Sequence, residues 1–422
     1  MKPFFSRIIS FGQRYTDIDL YYVGAGSFWL LFSQGILALV YLLVSLAFAN
    51  LVPKEIFGNY RYVLSLASLI SAFSLTGMNT ALTRAVSRGA EGTVKASIPV
   101  QIRWGMLMTL VSFIASAYYF FRGNMFLGAS MGIAGIFLPV INVFNTYAAV
   151  FNGKKLFKHL ALNNMFVGVV ASVPLLLAIF FLPRSLVFVL VYFVSNAVLA
   201  WFVYRRSLRF LNPETVDNES LVYGKHQSLV NAFTVFAQYI DGVLVFHYLG
   251  ATPLATYFFA TLIPLALKGN LKILSTLSLP KFSVGDYHIS RKTLLKKMAL
   301  VGLLLSVGIV AYIAIAPLVF TVFFPEYKNA ALFSQVAALG IFGVVSLLPL
   351  SLFSAHLKTR KLYYFNISTS LLRVGLVFCG VYFWGLWGAI IAFVAQALVN
   401  VFISVFLLLF EKEEKPLLNA SQ

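Results

Sequence analysis

The chain has 422 residues, of which 60% are hydrophobic, 16% aromatic and only 11% charged, with 32 Lys and Arg against 13 Asp and Glu. A soluble domain carries about a quarter charged residues, so an ordinary soluble enzyme is excluded and a polytopic membrane protein is implied. The net charge of +19 is scattered in short groups between apolar runs, which excludes a nucleic-acid-binding patch. The single cysteine, Cys379, excludes an intramolecular disulfide and a Cys-based metal site.

Taken in order, residues 4–22 (FFSRIISFGQRYTDIDLYY) read as an amphipathic helix lying at the membrane interface. No cleavable signal is evident, because the first apolar run is already span-length. Runs long enough to cross ~30 Å of hydrocarbon fall at 28–49, 60–82, 104–121, 125–150, 160–182 and 185–204. Six more follow at 229–249, 254–278, 298–323, 330–353, 362–383 and 386–410. The longest connection, 205–228, separates the sixth from the seventh. The expected fold is all-α, with twelve transmembrane helices in two pseudo-symmetric six-helix bundles, residues 1–215 and 216–422.

Basic residues orient these spans, since cytoplasmic segments carry the excess of Lys and Arg. With the N-terminus inside, the outer segments hold only Lys54, Arg61, Arg122, Arg184 and Lys328. Three cations, Lys268, Lys272 and Arg373, fall within spans, and the other 24 of the 32 lie on inner segments. Both termini are therefore expected in the cytoplasm. The outer loops are too short for a catalytic or sugar-recognition domain.

A lysine at mid-bilayer costs roughly 2.5–3.5 kcal/mol, and span 8 carries two. Lys268 and Lys272 are spaced i, i+4, which stacks both ammonium groups on one helix face, ~6 Å apart along the axis. An anionic ligand explains such a pair; the structural alternative is an ion pair with Asp241, the only acidic residue inside a span. Asp241 neutralises one lysine at most. Pro264 and Gly269-Asn270 beside the pair are candidates for a helix break that frees backbone groups. Arg373, eleven residues into span 11, suits bidentate phosphate binding, which Lys cannot offer. Arg61, Arg84 and Arg103 lie at span ends, where arginine commonly anchors at the interface, although Arg61 also stands as a substrate-binding candidate. For Asp241 the readings are counter-ion, protonatable coupling group, or part of a sodium site with Gln238 or Asn231. His159 and His247 are single histidines without metal-ligand spacing. The in-span amides, among them Asn142, Asn145 and Gln396, serve inter-helix hydrogen bonding or contact with sugar hydroxyls. Gly128 and Gly132 mark close helix packing.

The two halves carry a weak internal repeat. Lys158-His-Leu-Ala-Leu-Asn163 opens span 5 and Lys361-Leu-Tyr-Tyr-Phe-Asn366 opens span 11. Internal symmetry of this kind is a signature of transporters whose two bundles rock around a midplane site.

The stretch Pro53-Lys-Glu-Ile-Phe-Gly-Asn-Tyr60-Arg-Tyr-Val-Leu-Ser-Leu-Ala-Ser-Leu resembles the turn between spans 1 and 2 of polysaccharide flippases. These are the Wzx-type exporters of O-antigen and exopolysaccharide repeat units, within the multidrug/oligosaccharidyl-lipid/polysaccharide exporter (MOP) superfamily. Leu75-Thr-Gly77-Met-Asn-Thr-Ala-Leu-Thr-Arg84 is similar to that family's end of span 2. Trp384-Gly385-Leu-Trp-Gly388-Ala389-Ile-Ile-Ala392 resembles the small-residue turn opening its last span, and Lys361 followed by Asn366 resembles its span 10–11 junction. The resemblance implies two six-helix bundles around a cationic cavity in a bacterial cytoplasmic membrane. It implies transport of an undecaprenyl-pyrophosphate-linked repeat unit from the inner to the outer leaflet, not enzymatic chemistry.

The residues then take expected roles: Lys268, Lys272, Arg373 and Arg61 bind substrate, and Asp241 serves coupling or as counter-ion. No cofactor or metal is expected, and the energy source is open between H+, Na+, the membrane potential and none. The expected partners are the polyprenyl-pyrophosphate-linked oligosaccharide and membrane lipid, with polysaccharide polymerase and chain-length proteins alongside, no nucleic acid, and a monomeric state. A multidrug or metabolite antiporter of the same superfamily is the alternative. Cationic drugs need acidic sites, and only Asp241 is at hand. A polysaccharide polymerase or ligase is a third class, disfavoured by the short outer loops.

Overall fold

The computed structural model of the chain describes residues 20–212, 215–271, 291–355 and 358–410. The expected interfacial helix at 4–22 falls almost wholly outside the described residues, and so does Lys272. All regular structure among the described residues is helical.

The first helices are α1 (Leu20–Leu51), α2 (Lys54–Ile70), α3 (Met78–Ser87), α4 (Gly92–Phe121), α5 (Met125–Phe144), α6 (Tyr147–Gly153), α7 (Phe157–Phe181) and α8 (Ser185–Ser207). There follow α9 (Asn218–Leu249), α10 (Ala251–Leu271), α11 (Arg291–Phe323), α12 (Ala330–Ala338), α13 (Leu347–Ala355) and α14 (Thr359–Leu409). Among the described residues ten helical stretches are long and apolar enough to cross a membrane, and a bent pair raises this to as many as eleven. Their lipid-suited surface is plain on α11, where Leu303, Leu304, Val307, Val310 and Leu318 are all exposed. An apolar surface of that extent belongs in hydrocarbon rather than water.

Spans 2 and 10 depart from the uninterrupted helices expected of them, while the break in α14 falls at the Trp384-Gly385 turn expected between spans 11 and 12. Span 2 begins at Lys54 rather than residue 60. It breaks after a 3-10 turn at Ser71–Phe73 and restarts at Met78 with a bend of 57°. The cause is tertiary: Gly77 lets α9 approach so closely that a Cβ there would lie 2.6 Å from the Ser228 nitrogen. Ser228 Oγ accepts the Gly77 N–H at 3.0 Å, satisfying a donor the break would otherwise orphan. Span 10 contains a 3-10 stretch, Leu339–Ser346, between α12 and α13. In α14 the backbone leaves helical geometry at Gly385 (φ 56°, ψ −133°), which only glycine adopts at low cost. Among the described residues of span 8 the candidate break is not seen, since α10 runs unbroken through Pro264 and Gly269-Asn270 to Leu271. Neighbouring packing tolerates proline inside a membrane helix.

By packing, the chain forms two compact units: residues 1–258 with 319–328, and residues 259–318 with 329–422. In the first, α4 and α5 make a tight hairpin. Ser116 Oγ donates to Gly128 O at 2.6 Å, Thr109 Oγ1 donates to Gly135 O at 2.9 Å, and a Cβ on Gly128 would meet the Phe120 ring at 2.7 Å. An aromatic core joins Phe48, Phe57, Tyr60 and Phe188 with centroids 4.9–5.9 Å apart where they pack directly.

The turn before α4 is tied to the connection that follows α8. Buried Glu91 ion-pairs with Lys154 and accepts the Asn212 N–H. The Gly92 N–H donates to Thr215 O at 2.8 Å, and the Asp217 N–H donates to Thr93 Oγ1 at 2.8 Å. Asp217 in turn caps α9, accepting from the Ser220 N–H at 3.0 Å and from Ser220 Oγ at 2.7 Å. These bonds stabilise its charged form and hold its pKa below the ordinary carboxylate value.

In the second unit, α14 packs along the 3-10 stretch of span 10 and along α12 and α13. Lys361 donates to Leu407 O at 3.0 Å, closing the end of the last helix. It also lies 5.0 Å from the Phe353 ring, as its repeat partner Lys158 lies 4.8 Å from the Trp29 ring in the first unit.

Candidate functional site

Arg61 is not at the mouth of span 2 as the sequence suggested. With the helix starting at Lys54, it is the eighth residue of α2, ~10 Å along the axis. Its guanidinium carbon lies 3.9 Å from the centroid of the Phe258 ring. Tyr60, Tyr192 and Tyr239 are near enough to interact with it electrostatically. Its Nε is buried and has no hydrogen-bond partner among the described residues. A buried guanidinium donor without an acceptor is costly. Arginine's planar fork is suited to an anion with several oxygens.

Asp241, in α9 of the same unit, is 5% exposed. Its Oδ2 accepts a hydrogen bond from the Tyr257 hydroxyl at 3.1 Å. Gly242 beside it brings α9 against α2, where a Cβ would lie 2.4 Å from Ser65 Oγ. The tyrosine partner is invisible in the sequence, because it sits sixteen residues away on the next helix. Of the two amides considered for a sodium site with Asp241, Asn231 Oδ1 already accepts from Gln227 Nε2 at 3.2 Å. Among the described residues no three His, Cys, Asp or Glu side chains gather in a way that would hold a metal ion.

In the second unit Lys268, near the end of α10, places Nζ 5.8 Å from the centroid of the Phe393 ring. The same Nζ lies 3.3 Å from where a Cβ on Gly343 would be. The lysine therefore reaches the 3-10 stretch of span 10, where glycine makes room for it. Arg373 is half-buried in α14. Lys272 lies outside the described residues, so the i, i+4 pair is represented by Lys268 alone.

Sequence reasoning missed the cavity at the break of span 2. It measures about 150 Å³ and is lined by the broken segment, α4, α5 and the turn after it. Its signal in the sequence is Ser74-Leu-Thr-Gly77, a small polar cluster inside an apolar run. His159 is packed against Phe151 and Phe210, with centroids 6.2 and 5.2 Å away, as a structural histidine should be.

Residues 23–285 match the protein family described as "Polysaccharide biosynthesis protein". No curated protein matches the chain. Among solved structures, the lipid II flippase MurJ in an inward closed conformation superposes with a TM-score of 0.71 at 12% identity. That match covers 90% of this chain and 87% of MurJ. An inward-facing multidrug resistance MATE transporter of the MOP superfamily gives 0.62 at 13% identity, covering 88% of this chain and 94% of the other. A MOP superfamily transporter from Pyrococcus furiosus, described as having a binding pocket of reversed polarity, gives 0.53 at 14% identity, covering 91% and 95%. The fold is thus that of multi-pass MOP superfamily transporters.

Proposed function

Because the chain belongs to the polysaccharide biosynthesis protein family, we propose that it is a membrane flippase for a polyprenyl-pyrophosphate-linked oligosaccharide, moved from the cytoplasmic to the periplasmic leaflet of a bacterial inner membrane. The MurJ-like fold supports a lipid-linked substrate, and the glycan is an O-antigen or exopolysaccharide repeat unit. Arg61, Lys268, Lys272 and Arg373 take the anionic head group by alternating access through a cationic cavity. Asp241 takes the coupling or counter-ion role, with H+ or Na+ as the coupled ion. The chain crosses twelve times, counting the bent pair in span 2 as one crossing and α14 as two, folded at Gly385. Both termini are cytoplasmic and each half, 1–215 and 216–422, supplies six helices. The protein acts as a monomer beside polysaccharide polymerase and chain-length proteins.

One observation carries the substrate class: a guanidinium held two turns inside a membrane helix, with a buried donor that no described residue satisfies. A pyrophosphate supplies oxygens of the right charge and geometry. The test is flipping in liposomes containing the purified chain and a fluorescent polyprenyl-pyrophosphate-linked glycan, with outer-leaflet label read by quenching. Arg61→Ala is expected to fall to between about a tenth and about a hundredth of the wild-type rate, from loss of a charge-assisted hydrogen bond worth about 1.5–3 kcal/mol. Undiminished flipping in Arg61→Ala, Lys268→Ala and Arg373→Ala alike would remove the cationic-cavity reading.

A further inference from the structure

The cavity at the break of span 2 lies within the first unit, well down the same span from Arg61. Ser74 is thirteen residues beyond Arg61, ~20 Å along the axis. Its polar lining is Ser74, Thr76, Asn79, Gln101, Asn142 and Asn145, and among the described residues no charged one lines it. Ser74 Oγ, Thr76 Oγ1 and Asn79 Oδ1 are buried and have no hydrogen-bond partner among the described residues. Ser74 as a whole is 8% exposed. Three residues of one cavity wall thus each carry a buried oxygen without a partner among the described residues, and each unmet polar group in a membrane domain costs several kcal/mol.

Two of the amides are already fixed in place. Gln101 Nε2 donates to Ser97 Oγ at 2.9 Å and Asn142 Nδ2 donates to Leu138 O at 3.0 Å, each four residues back on its own helix. The remaining wall is apolar, with Leu75, Met108 and Pro139. Gly105 keeps the space open, because a Cβ there would touch Pro139 Cβ at 3.0 Å.

Size and charge select the occupant. At about 150 Å³ the cavity holds about five waters at roughly 30 Å³ each, far more than a bare monovalent cation fills. It is smaller than the ~300–1,000 Å³ of a drug-sized site. Uncharged walls disfavour a phosphate, whose binding calls for Arg or Lys. Hydroxyls and amides interspersed with apolar side chains in one wall match a pyranose ring, which offers equatorial hydroxyls at its edge and C–H groups on its face.

Depth agrees. Gln101 is twenty residues from the outer end of α4 and Asn142 seventeen from that of α5, ~30 and ~26 Å. In the orientation proposed above, this is the cytoplasmic end of the membrane, where a glycan on an inner-leaflet lipid first meets the protein.

We propose that the cavity between the break of span 2, α4 and α5 binds one uncharged pyranose unit of the transported glycan, separately from the cations that take its pyrophosphate. This rests on the flippase reading. The test is scintillation-proximity binding of tritiated glucose, galactose, mannose, rhamnose, N-acetylglucosamine and N-acetylgalactosamine to the full chain in lipid nanodiscs. At least one sugar is expected to bind saturably, about tenfold more weakly to Asn79→Leu, from loss of a buried hydrogen bond. The near-isosteric pair Ser74→Ala with Thr76→Val, which guards against a folding defect at Asn79, is expected to weaken binding severalfold. Arg61→Ala should bind the free sugar as wild type does.

Absence of saturable binding by all six sugars, or equal binding by wild type and Asn79→Leu, overturns the assignment. So does thermal stabilisation by NaCl over choline chloride that Asn79→Leu abolishes, which would make the cavity a cation site. Intact sugar binding in a chain that flips normally as Arg61→Ala would instead remove the anion reading and leave the cavity standing.

Discussion

The guanidinium of Arg61 sits 3.9 Å from the centre of the Phe258 ring, and this pairing holds a cation inside the membrane without neutralising it. A cation over an aromatic face gains about 0.5–2 kcal/mol, more as water is excluded, while its charge and its fork of donors stay available. An ion pair would hold the side chain more tightly but cancel the charge a polyanionic head group needs. Tyr60, 3% exposed, and Tyr192 complete an aromatic surround for it, with ring centroids 6.4 Å apart.

Phe258→Leu is therefore expected to leave the chain folded and to weaken flipping by about threefold to tenfold, as the guanidinium loses about 0.5–1.5 kcal/mol of positioning. Arg61→Lys should fall between wild type and Arg61→Ala, because lysine keeps the charge but not the bidentate fork. Flipping rates in liposomes measure both. Equal rates for Arg61→Lys and wild type would mean that charge alone matters.

Lys268 makes a separate prediction through Gly343. A methyl at that glycine would lie 3.3 Å from Nζ and 3.1 Å from Ala397 Cβ, so Gly343→Ala must push the lysine aside or shift α14. Overpacking of this kind costs about 1–3 kcal/mol. Gly343→Ala is expected to reduce flipping while the purified protein keeps its elution profile. Gly302→Ala, where nothing lies within 4 Å of the added Cβ, serves as the neutral comparison.

How much of this was legible beforehand depended on whether the signal was local. Membrane spans are long apolar runs, and the short Trp384-Gly385 step marks the place where α14 leaves helical geometry. Lys54 and Glu55 make the first two turns of span 2 read as loop, which puts Arg61 at the span's mouth, where an interfacial anchor and a substrate-binding residue look alike. The break at Ser74–Gly77 was hidden for another reason: it is made by Ser228, 151 residues away. Pro264 is the opposite case, a local helix breaker that α10 runs straight through. Partners such as Phe258 for Arg61 and Tyr257 for Asp241 are tertiary facts that no periodicity encodes.

Gly388 and Gly380 face each other across the fold in α14. A Cβ on Gly388 would lie 1.8 Å from the Gly380 carbonyl oxygen, and one on Gly380 would lie 2.5 Å from that of Gly388. Backbone meets backbone here, so no side chain can yield. Gly388→Ala is expected to exceed the usual ~1–3 kcal/mol of overpacking and to abolish monodisperse protein in fluorescence-detected gel filtration. Normal yield and elution of that variant would show that the two strands of the fold separate easily.

The cap on α9 gives a pH prediction. Asp217 is held below the ordinary carboxylate pKa by Ser220, so it stabilises the fold at and above that ordinary value. The contribution disappears only as pH falls through the depressed one. Asp217→Ala should melt lower than wild type at pH 7, and the two melting temperatures should converge on acidification. A gap that stays constant into acid would mean that the cap does not depend on the charge.

Glu91 is the hub of the connection between the sixth and seventh spans, and its loss tests whether that connection is a passive tether. Glu91→Ala removes the partner of Lys154 and the acceptor of the Asn212 N–H together. Breaking a buried pair from one side costs about 3–5 kcal/mol. Because Lys154 is 29% exposed and can turn to solvent, roughly 1–3 kcal/mol is the better expectation. Glu91→Gln keeps an acceptor for Asn212 and should recover part of the difference, which thermal melts in detergent will resolve. Protease cutting within 208–217 offers an independent readout: it should accelerate in Glu91→Ala, less in Glu91→Gln, and remain at wild-type rate in Arg61→Ala. If cutting is unchanged in Glu91→Ala, the Gly92–Thr215 and Thr93–Asp217 hydrogen bonds hold the connection without the carboxylate.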